Sequence, residues 1–287
     1  MRVVHTIAEI RTASRELRAT NRTVGLVPTM GALHAGHISL VRAARAQCDV
    51  VAASIFVNPT QFGPNEDFSK YPRSFDEDCR LLEQESVDLL FAPTAEEMYP
   101  GGATTFVEVE GIGDRLDGVS RPGHFRGVAT VVAKLFHIVG PDKAFFGQKD
   151  AAQVAVLRKM VCDLNFSLEI VVCPTVREPD GLALSSRNRY LSPSERQIAL
   201  ALPRTLAEIE RLAMKGETQS ASLIETGRQA LALEPEIHLD YLKIVDPRTL
   251  EDVSDLRQGA LVAIAAWVGS TRLIDNIVVA NIVVAPR

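Results

Sequence analysis

Short β-branched and apolar runs alternate with amphipathic stretches through the first two-thirds of the chain. Residues 23–27 and 50–57 read as buried strands, and a helical pattern covers 37–47 between them. A polar helical pattern at 74–86 precedes a strand-like run at 88–91. Residues 128–139 are apolar all round and predict a buried helix; 143–146, 150–163 and 168–173 then read as strand, helix and strand. Strands alternating with helices indicate βαβ units and a parallel sheet, hence an α/β class. Such sheets take ligands at the carboxyl ends of their strands, so chemistry is sought there. The pattern changes after residue 173. A long polar loop, 174–191, leads to Ser192-Pro193-Ser194-Glu195, a helix start with a capping Ser, Pro in the first turn and Glu reaching back to the cap amide. Two helical patterns, broken near Lys215-Gly216, precede strand-like runs at 237–245, 261–268 and 277–284. This predicts a catalytic domain at 1–175 and a smaller α+β domain at 176–287.

Composition narrows the class of partner. Of 287 residues, 46% are hydrophobic and 23% charged, a globular balance. No apolar run approaches the roughly 20 residues that span a bilayer; the longest, Ala260–Val268, reads as a buried strand. The opening MRVVHTIAEIR has no sustained apolar core, which makes the cytoplasm the expected compartment. A net charge of −5 without a basic stripe argues against nucleic acid. The local pairs Arg121 with Arg126 and Arg187 with Arg189 suit a phosphate or carboxylate in a small substrate. Cys48, Cys79, Cys162 and Cys173 form no CxxC pair and are expected to be buried free thiols.

The strongest motif is Pro28-Thr29-Met30-Gly31-Ala32-Leu33-His34-Ala35-Gly36-His37, between a predicted strand and a predicted helix. Gly31 and Gly36 let the backbone approach a ligand. His37 falls in the first turn, where unpaired N–H groups and the helix dipole attract anions. His34 and His37 are spaced so that both rings can face one phosphate and stabilise charge developing on it. Phe56-Val57-Asn58-Pro59-Thr60-Gln61-Phe62 follows the second strand; Asn58 and Gln61 offer neutral polar groups at the sheet's carboxyl edge. Ser120-Arg121-Pro122-Gly123-His124-Phe125-Arg126-Gly127 precedes the apolar helix and reads either as an anion site or as a solvated loop. Phe146-Gly147-Gln148-Lys149-Asp150 is another strand-to-helix junction, with Lys for phosphate and Asp for ribose or for capping; Gln153 follows one turn later. Asp180 to Asn188 places Ser185, Ser186 and Arg187 together as phosphate donors, or is simply a polar linker. No GxxxxGK[ST] run is present, which excludes a P-loop.

These segments occur in one order: PTMGALHAGH, FVNPTQF, EDFSKYPR (66–73), RPGHFRGV, AFFGQKD, DGLALSSRNRYL and AAWVGSTRLIDN (265–276). Together they resemble the pantothenate synthetase family, within the HxGH nucleotidyltransferase superfamily. The resemblance spans essentially the whole chain. It implies a Rossmann-like N-terminal domain, a smaller C-terminal domain closing over the ATP site, and a homodimer. It also implies ATP-dependent condensation of pantoate with β-alanine through an enzyme-bound pantoyl adenylate. Met30, Gly31, Ala32, Leu33, His34, Ala35, Gly36 and His37 would contact ATP, with His37 as proton donor. Gly147, Gln148, Lys149, Asp150, Val176, Leu184, Ser185, Ser186 and Arg187 would complete the ATP site. Gln61 and Gln153 would hold pantoate, and Gln61 would also border β-alanine. Magnesium is expected on the phosphates; no protein ligand is assigned, with Glu77 and Asp78 as candidates. One departure is visible: many members carry a Gln pair where this chain has Ala152 and Gln153.

Two rival readings stay open on sequence. An enzyme transferring a nucleotide to a phosphate ester would use the same histidines but would want a basic pocket in place of Gln61 and Gln153. A non-catalytic nucleotide-binding protein would have no need for His34, His37 and Lys149 together.

Overall fold

The computed structural model describes residues 1–64, 66–101 and 103–280. By its internal contacts the chain divides into two compact units. One comprises Met1–Gly147 with Ala152–Pro174; the other comprises Gln148–Ala151 with the chain from Thr175 onward.

In the first unit the chain runs β1 (Arg2–Val4), α1 (Ile7–Arg18), β2 (Val24–Thr29), α2 (Ala35–Gln47), β3 (Val50–Ile55), α3 (Phe75–Gln84) and β4 (Leu89–Phe91). It continues through α4 (Ala95–Met98), α5 (Asp117–Ser120), α6 (His124–Val139), β5 (Lys143–Gly147), α7 (Ala151–Asp163) and β6 (Glu169–Cys173). Among the described residues six strands form one parallel sheet, ordered β1-β4-β3-β2-β5-β6. The expected α/β class with a Rossmann-like parallel sheet is what the structure has. Strands β2 and β3 are buried nearly throughout, as continuous apolar runs in a parallel sheet require. The order reverses between β2 and β5, where pairing covers only Gly25 and Leu26. The strands therefore part company before β2 ends at Thr29, and the loop after β2 emerges at this switch point.

The expected elements recur with shifted ends. Helix α6 begins four residues ahead of the apolar run because His124 to Gly127 already wind helically behind Gly123, which takes a left-handed φ of 80°. Strand β1 and helix α1 were not foreseen. A complete capping box, Thr6 with Glu9, starts α1, but its short apolar stripe carries a weak signal. The thiol expectation is corrected in part: Cys48 and Cys173 are buried, Cys79 is half-buried and Cys162 is exposed.

Among its described residues the second unit holds α8 (Pro193–Ala199), α9 (Ala201–Met214), α10 (Ser220–Leu231) and a three-stranded antiparallel sheet of β7 (Ile237–Val245), β8 (Ala260–Val268) and β9 (Thr271–Val279). Ser192 and Glu195 form the expected capping box. The expected strand at 277–284 is displaced: β9 starts at Thr271, and 281–284 lie outside the described residues. The cause is a two-residue hairpin, Gly269-Ser270, which pairs Val268 with Thr271. Its polar start, Thr271-Arg272, hides it from an apolar-run reading. Leu202, Leu206 and Ile209 of α9 pack with Leu223 of α10 on the buried face of β8. No described helix is long and apolar enough to cross a membrane.

Candidate functional site

The loop after β2 is held from beneath. Thr29 donates its hydroxyl proton to the Ser54 carbonyl (2.7 Å) and accepts from the Gly31 amide (3.1 Å). Gly31 and Ala32 then turn with φ of 83° and 50°. Positive φ costs little at glycine but about 1–3 kcal/mol at alanine, so something must hold Ala32 there. Asp78, in the first turn of α3, does so. Its carboxylate, 1% exposed, accepts the Ala32 amide on one oxygen (2.9 Å) and the Leu33 amide on the other (2.8 Å). Asp78 was a candidate magnesium ligand on sequence; here both its oxygens serve the loop. Glu77 is exposed on the same helix.

His34 is the N-cap of α2. Its Nδ1 accepts the Gly36 amide (3.2 Å), and the Nδ1 of His37 accepts the His34 amide (3.4 Å). Each neutral ring therefore carries its proton on Nε2. The ring centroids are 4.1 Å apart and tilted by 33°. The structure thus brings the two histidines side by side at a helix N-terminus, with Ala35 exposed and Gly36 half-buried between them.

Gln61 closes a 3-10 turn, Pro59–Gln61, beyond β3. Its Nε2 donates to the Met30 sulfur (3.1 Å) and its Oε1 accepts from Asn58 Nδ2 (3.1 Å), so the second motif is tied to the first. Asn58, expected to offer a ligand group, is only 1% exposed. Its Oδ1 accepts from the Thr60 hydroxyl and the Tyr99 hydroxyl, both at 2.9 Å. Asn58 is a framework residue. A cleft of about 300 Å³ opens beside the same loop, lined by Met30, Gly31, Phe68, Arg73 and Asp78 among others. Gly147 ends β5, and Gln153 stands half-buried in the first turn of α7; Ala152 is buried at 4% exposure.

Arg121 and Arg126 do not converge on an anion. Arg121 forms a bidentate pair with Glu66 (2.8 and 2.6 Å), and the Arg126 guanidinium lies 3.8 Å over the Phe106 ring. The expectation of a shared anion site is corrected, because each cation already has an intramolecular partner.

In the second unit the expected polar loop is an ordered hairpin. Leu184 donates to the Val176 carbonyl (2.9 Å), and the turn passes through Gly181 at φ 95°. Arg196 braces this turn through Glu178 (2.7 Å) and Asp180 (2.8 Å). Ser185 caps a 3-10 turn, Ser186–Tyr190, accepting the Arg187 amide (3.2 Å). Two neighbours in β9 hold both ligand-type segments. Asp275, 3% exposed, receives both terminal nitrogens of Arg177 (2.7 and 3.0 Å), which also donates to the Gly181 carbonyl (3.0 Å). Asn276 donates to the Gln148 carbonyl (3.0 Å) and the Lys149 carbonyl (2.8 Å), and accepts from Gln148 Nε2 (3.0 Å). The Lys149 ammonium lies 3.5 Å from Asp150. On sequence Asp275 and Asn276 were quoted only within AAWVGSTRLIDN and given no role; the available signal was an acid and an amide side by side between the apolar pairs Leu273-Ile274 and Ile277-Val278.

A family model described as pantoate-beta-alanine ligase matches residues 2–278. The chain is 62% identical to a pantothenate synthetase of Acidobacterium capsulatum, with 96% of each covered. It is 55% identical to one of Thermotoga neapolitana, covering 96% of this chain and 99% of the relative. Among solved structures, a pantothenate synthetase of Thermus thermophilus superposes with a TM-score of 0.91 at 50% identity, over 96% of this chain and 99% of that one. A pantoate-beta-alanine ligase of Francisella tularensis, complexed with beta-gamma ATP and beta-alanine, gives a TM-score of 0.79 at 36% identity, over 96% of this chain and 97% of that one. With the paired histidines after β2, the Gln61 turn after β3 and similarity running nearly end to end, the chain belongs to the pantoate–β-alanine ligase family.

Proposed function

We propose the following division of labour for the family's reaction. The chain is an AMP-forming carbon–nitrogen ligase that condenses pantoate with β-alanine at the expense of ATP. In the first step the pantoate carboxylate attacks the α-phosphorus of ATP, and pyrophosphate leaves. In the second the β-alanine amine attacks the acyl carbon of pantoyl adenylate, and AMP leaves.

The observation that carries this reading is the pair of imidazoles 4.1 Å apart at the start of α2, with Gln61 drawn to the same motif through Met30. His34 and His37 would donate through Nε2 to the phosphate on which charge accumulates, with His37 as proton donor. The backbone from Met30 to His37 would follow the nucleotide. Gln61 and Gln153 would grip pantoate with neutral amides, leaving its carboxylate nucleophilic, and Gln61 would also border β-alanine. Lys149 and Arg187 would offset repulsion between that carboxylate and the phosphates. Gly147, Gln148, Asp150, Val176, Leu184, Ser185 and Ser186 would complete the nucleotide contacts. Magnesium would enter on the ATP phosphates and supply further charge neutralisation there. Asp78 is committed to backbone amides, and among the described residues no three metal-binding side chains converge. A homodimer and a cytoplasmic location complete the proposal, on family membership.

Isotope exchange tests it. Labelled pyrophosphate should pass into ATP with pantoate present and β-alanine absent, and β-alanine alone should support none. Lys149→Ala should abolish the exchange in a folded protein. Exchange that requires β-alanine would mean a concerted reaction and would end the two-step assignment.

A further inference from the structure

His124, the first residue of α6, lies between two partners. Its Nδ1 is 2.8 Å from the Gln61 carbonyl oxygen, and its Nε2 is 3.0 Å from Arg121 Nη1. A guanidinium has donors only, so Nε2 must accept, and the ring's proton must sit on Nδ1 and be donated to Gln61. The tautomer is thus set by Arg121. Arg121 is in turn oriented by its two bonds to Glu66, and its Nη2 lies 3.4 Å from the same Gln61 oxygen. One turn along α6, a Cβ on Gly127 would lie 2.2 Å from the Thr60 carbonyl oxygen and 2.7 Å from the Gln61 Cα. Only a glycine lets the helix seat against this turn. The Gly127 carbonyl also accepts from Asn58 Nδ2 (3.2 Å), the group that holds the Gln61 side chain.

We propose that Glu66, Arg121 and His124 act as a positioning relay that fixes the main chain of Gln61, and through it the orientation of bound pantoate. This rests on Gln61 holding pantoate, as argued above. The relay links three segments: the turn after β3, the start of α6 and the 66–73 segment. It does so without adding net charge beside the nucleophilic carboxylate. Glu66 neutralises Arg121, and burial together with the adjacent guanidinium lowers His124 to about 4, keeping the ring neutral. The groups facing the ring are Arg121, Glu66 and Asp117, besides the Gln61 carbonyl.

Substitutions at His124 separate positioning from plain stability. Asn places an amide N–H near Nδ1, whereas Gln reaches toward Nε2 and leaves the Gln61 carbonyl without its donor. Pantoate KM is read from pyrophosphate exchange, ATP affinity from calorimetry, and folding from circular dichroism. His124→Ala and His124→Gln should raise pantoate KM about tenfold, the worth of one lost hydrogen bond to a positioned group, with ATP affinity unchanged. His124→Asn should return KM to within about threefold of the parent by restoring that bond. Gln61→Ala, run alongside, should raise pantoate KM on its own. If Gln61→Ala raises KM while the His124 variants leave it unchanged, the relay is wrong and the Gln61 assignment stands. If Gln61→Ala has no effect on pantoate, the assignment beneath the relay fails. Equal loss of ATP and pantoate binding, or rescue by Gln rather than Asn, would also overturn the relay. Should the Ala variant not fold, the Asn–Gln pair decides alone.

Discussion

His34 has two tasks that a single alanine substitution would confound. It caps α2 through Nδ1, and its Nε2 proton is proposed to meet phosphate. Asparagine is among the best N-caps but has no imidazole. His34→Asn and His34→Ala should therefore both slow adenylate formation by about 10²-fold, as losing a transition-state donor does. Only the alanine variant should also lose about 1 kcal/mol of stability, the worth of a cap. Rapid-quench kinetics beside urea unfolding would read both. Parent-like adenylation in the Asn variant would mean that His34 serves only as a cap. The pairing of His34 with His37 was legible in sequence, because three-residue spacing across a helix start dictates it. The His124 tautomer was not legible, because its partners Arg121 and Gln61 are joined only by folding.

At the scale of elements, the loop after β2 owes its shape to a different helix. Asp78 of α3 accepts from two amides of a backbone turned through positive φ. In Asp78→Asn one oxygen becomes an NH2 that meets a backbone N–H. A buried amide is then unsatisfied, which costs about 1–3 kcal/mol. Urea unfolding at neutral pH should show that loss, and ATP affinity should fall with it. Unchanged stability would mean that the loop holds its conformation unaided. The periodicity marked α3 as a polar helix but could not say which of its acids turned inward. Of Asp76, Glu77 and Asp78, only Asp78 is buried. Strand β9 poses the same problem: Asp275 and Asn276 fasten Arg177 and the Gln148-Lys149 turn, from positions about 100 or more residues away in sequence, and loops are fastened by whatever the fold brings beneath them.

Over the whole molecule, acid should destabilise the fold in a definite window. The unfolded His124 ring takes a proton near 6.5, the folded ring only near about 4. Between those values the unfolded chain binds the extra proton, so stability is intact above pH 6.5 and falls as pH drops toward 4. The loss is on the order of 3 kcal/mol at most, since His124 is half-buried rather than fully enclosed. Glu66 adds to it only below 4.5: burial opposes its ionised form, but the Arg121 guanidinium overrides that and holds the carboxyl below its ordinary value. Urea unfolding from pH 7 to 4 should show the slope, and His124→Asn should flatten the part above pH 4.5. A slope unchanged in that variant would assign the titration to another group.

The amino-acid order by itself determined the parallel α/β sheet, the later α+β segment, the histidine pair at a helix start and the family. Each of these is written in local periodicity or in a contiguous motif, where neighbours in sequence are neighbours in space. Only the tertiary structure decided which polar residues fasten the loops around the candidate site. Arg121 was spent on Glu66, Asn58 on Gly127 and Gln61, and Asp78 on the loop after β2. The physical reason is that a charged or amide side chain has the same chemistry toward a substrate as toward a distant backbone group, and only folding brings one of them within hydrogen-bonding reach.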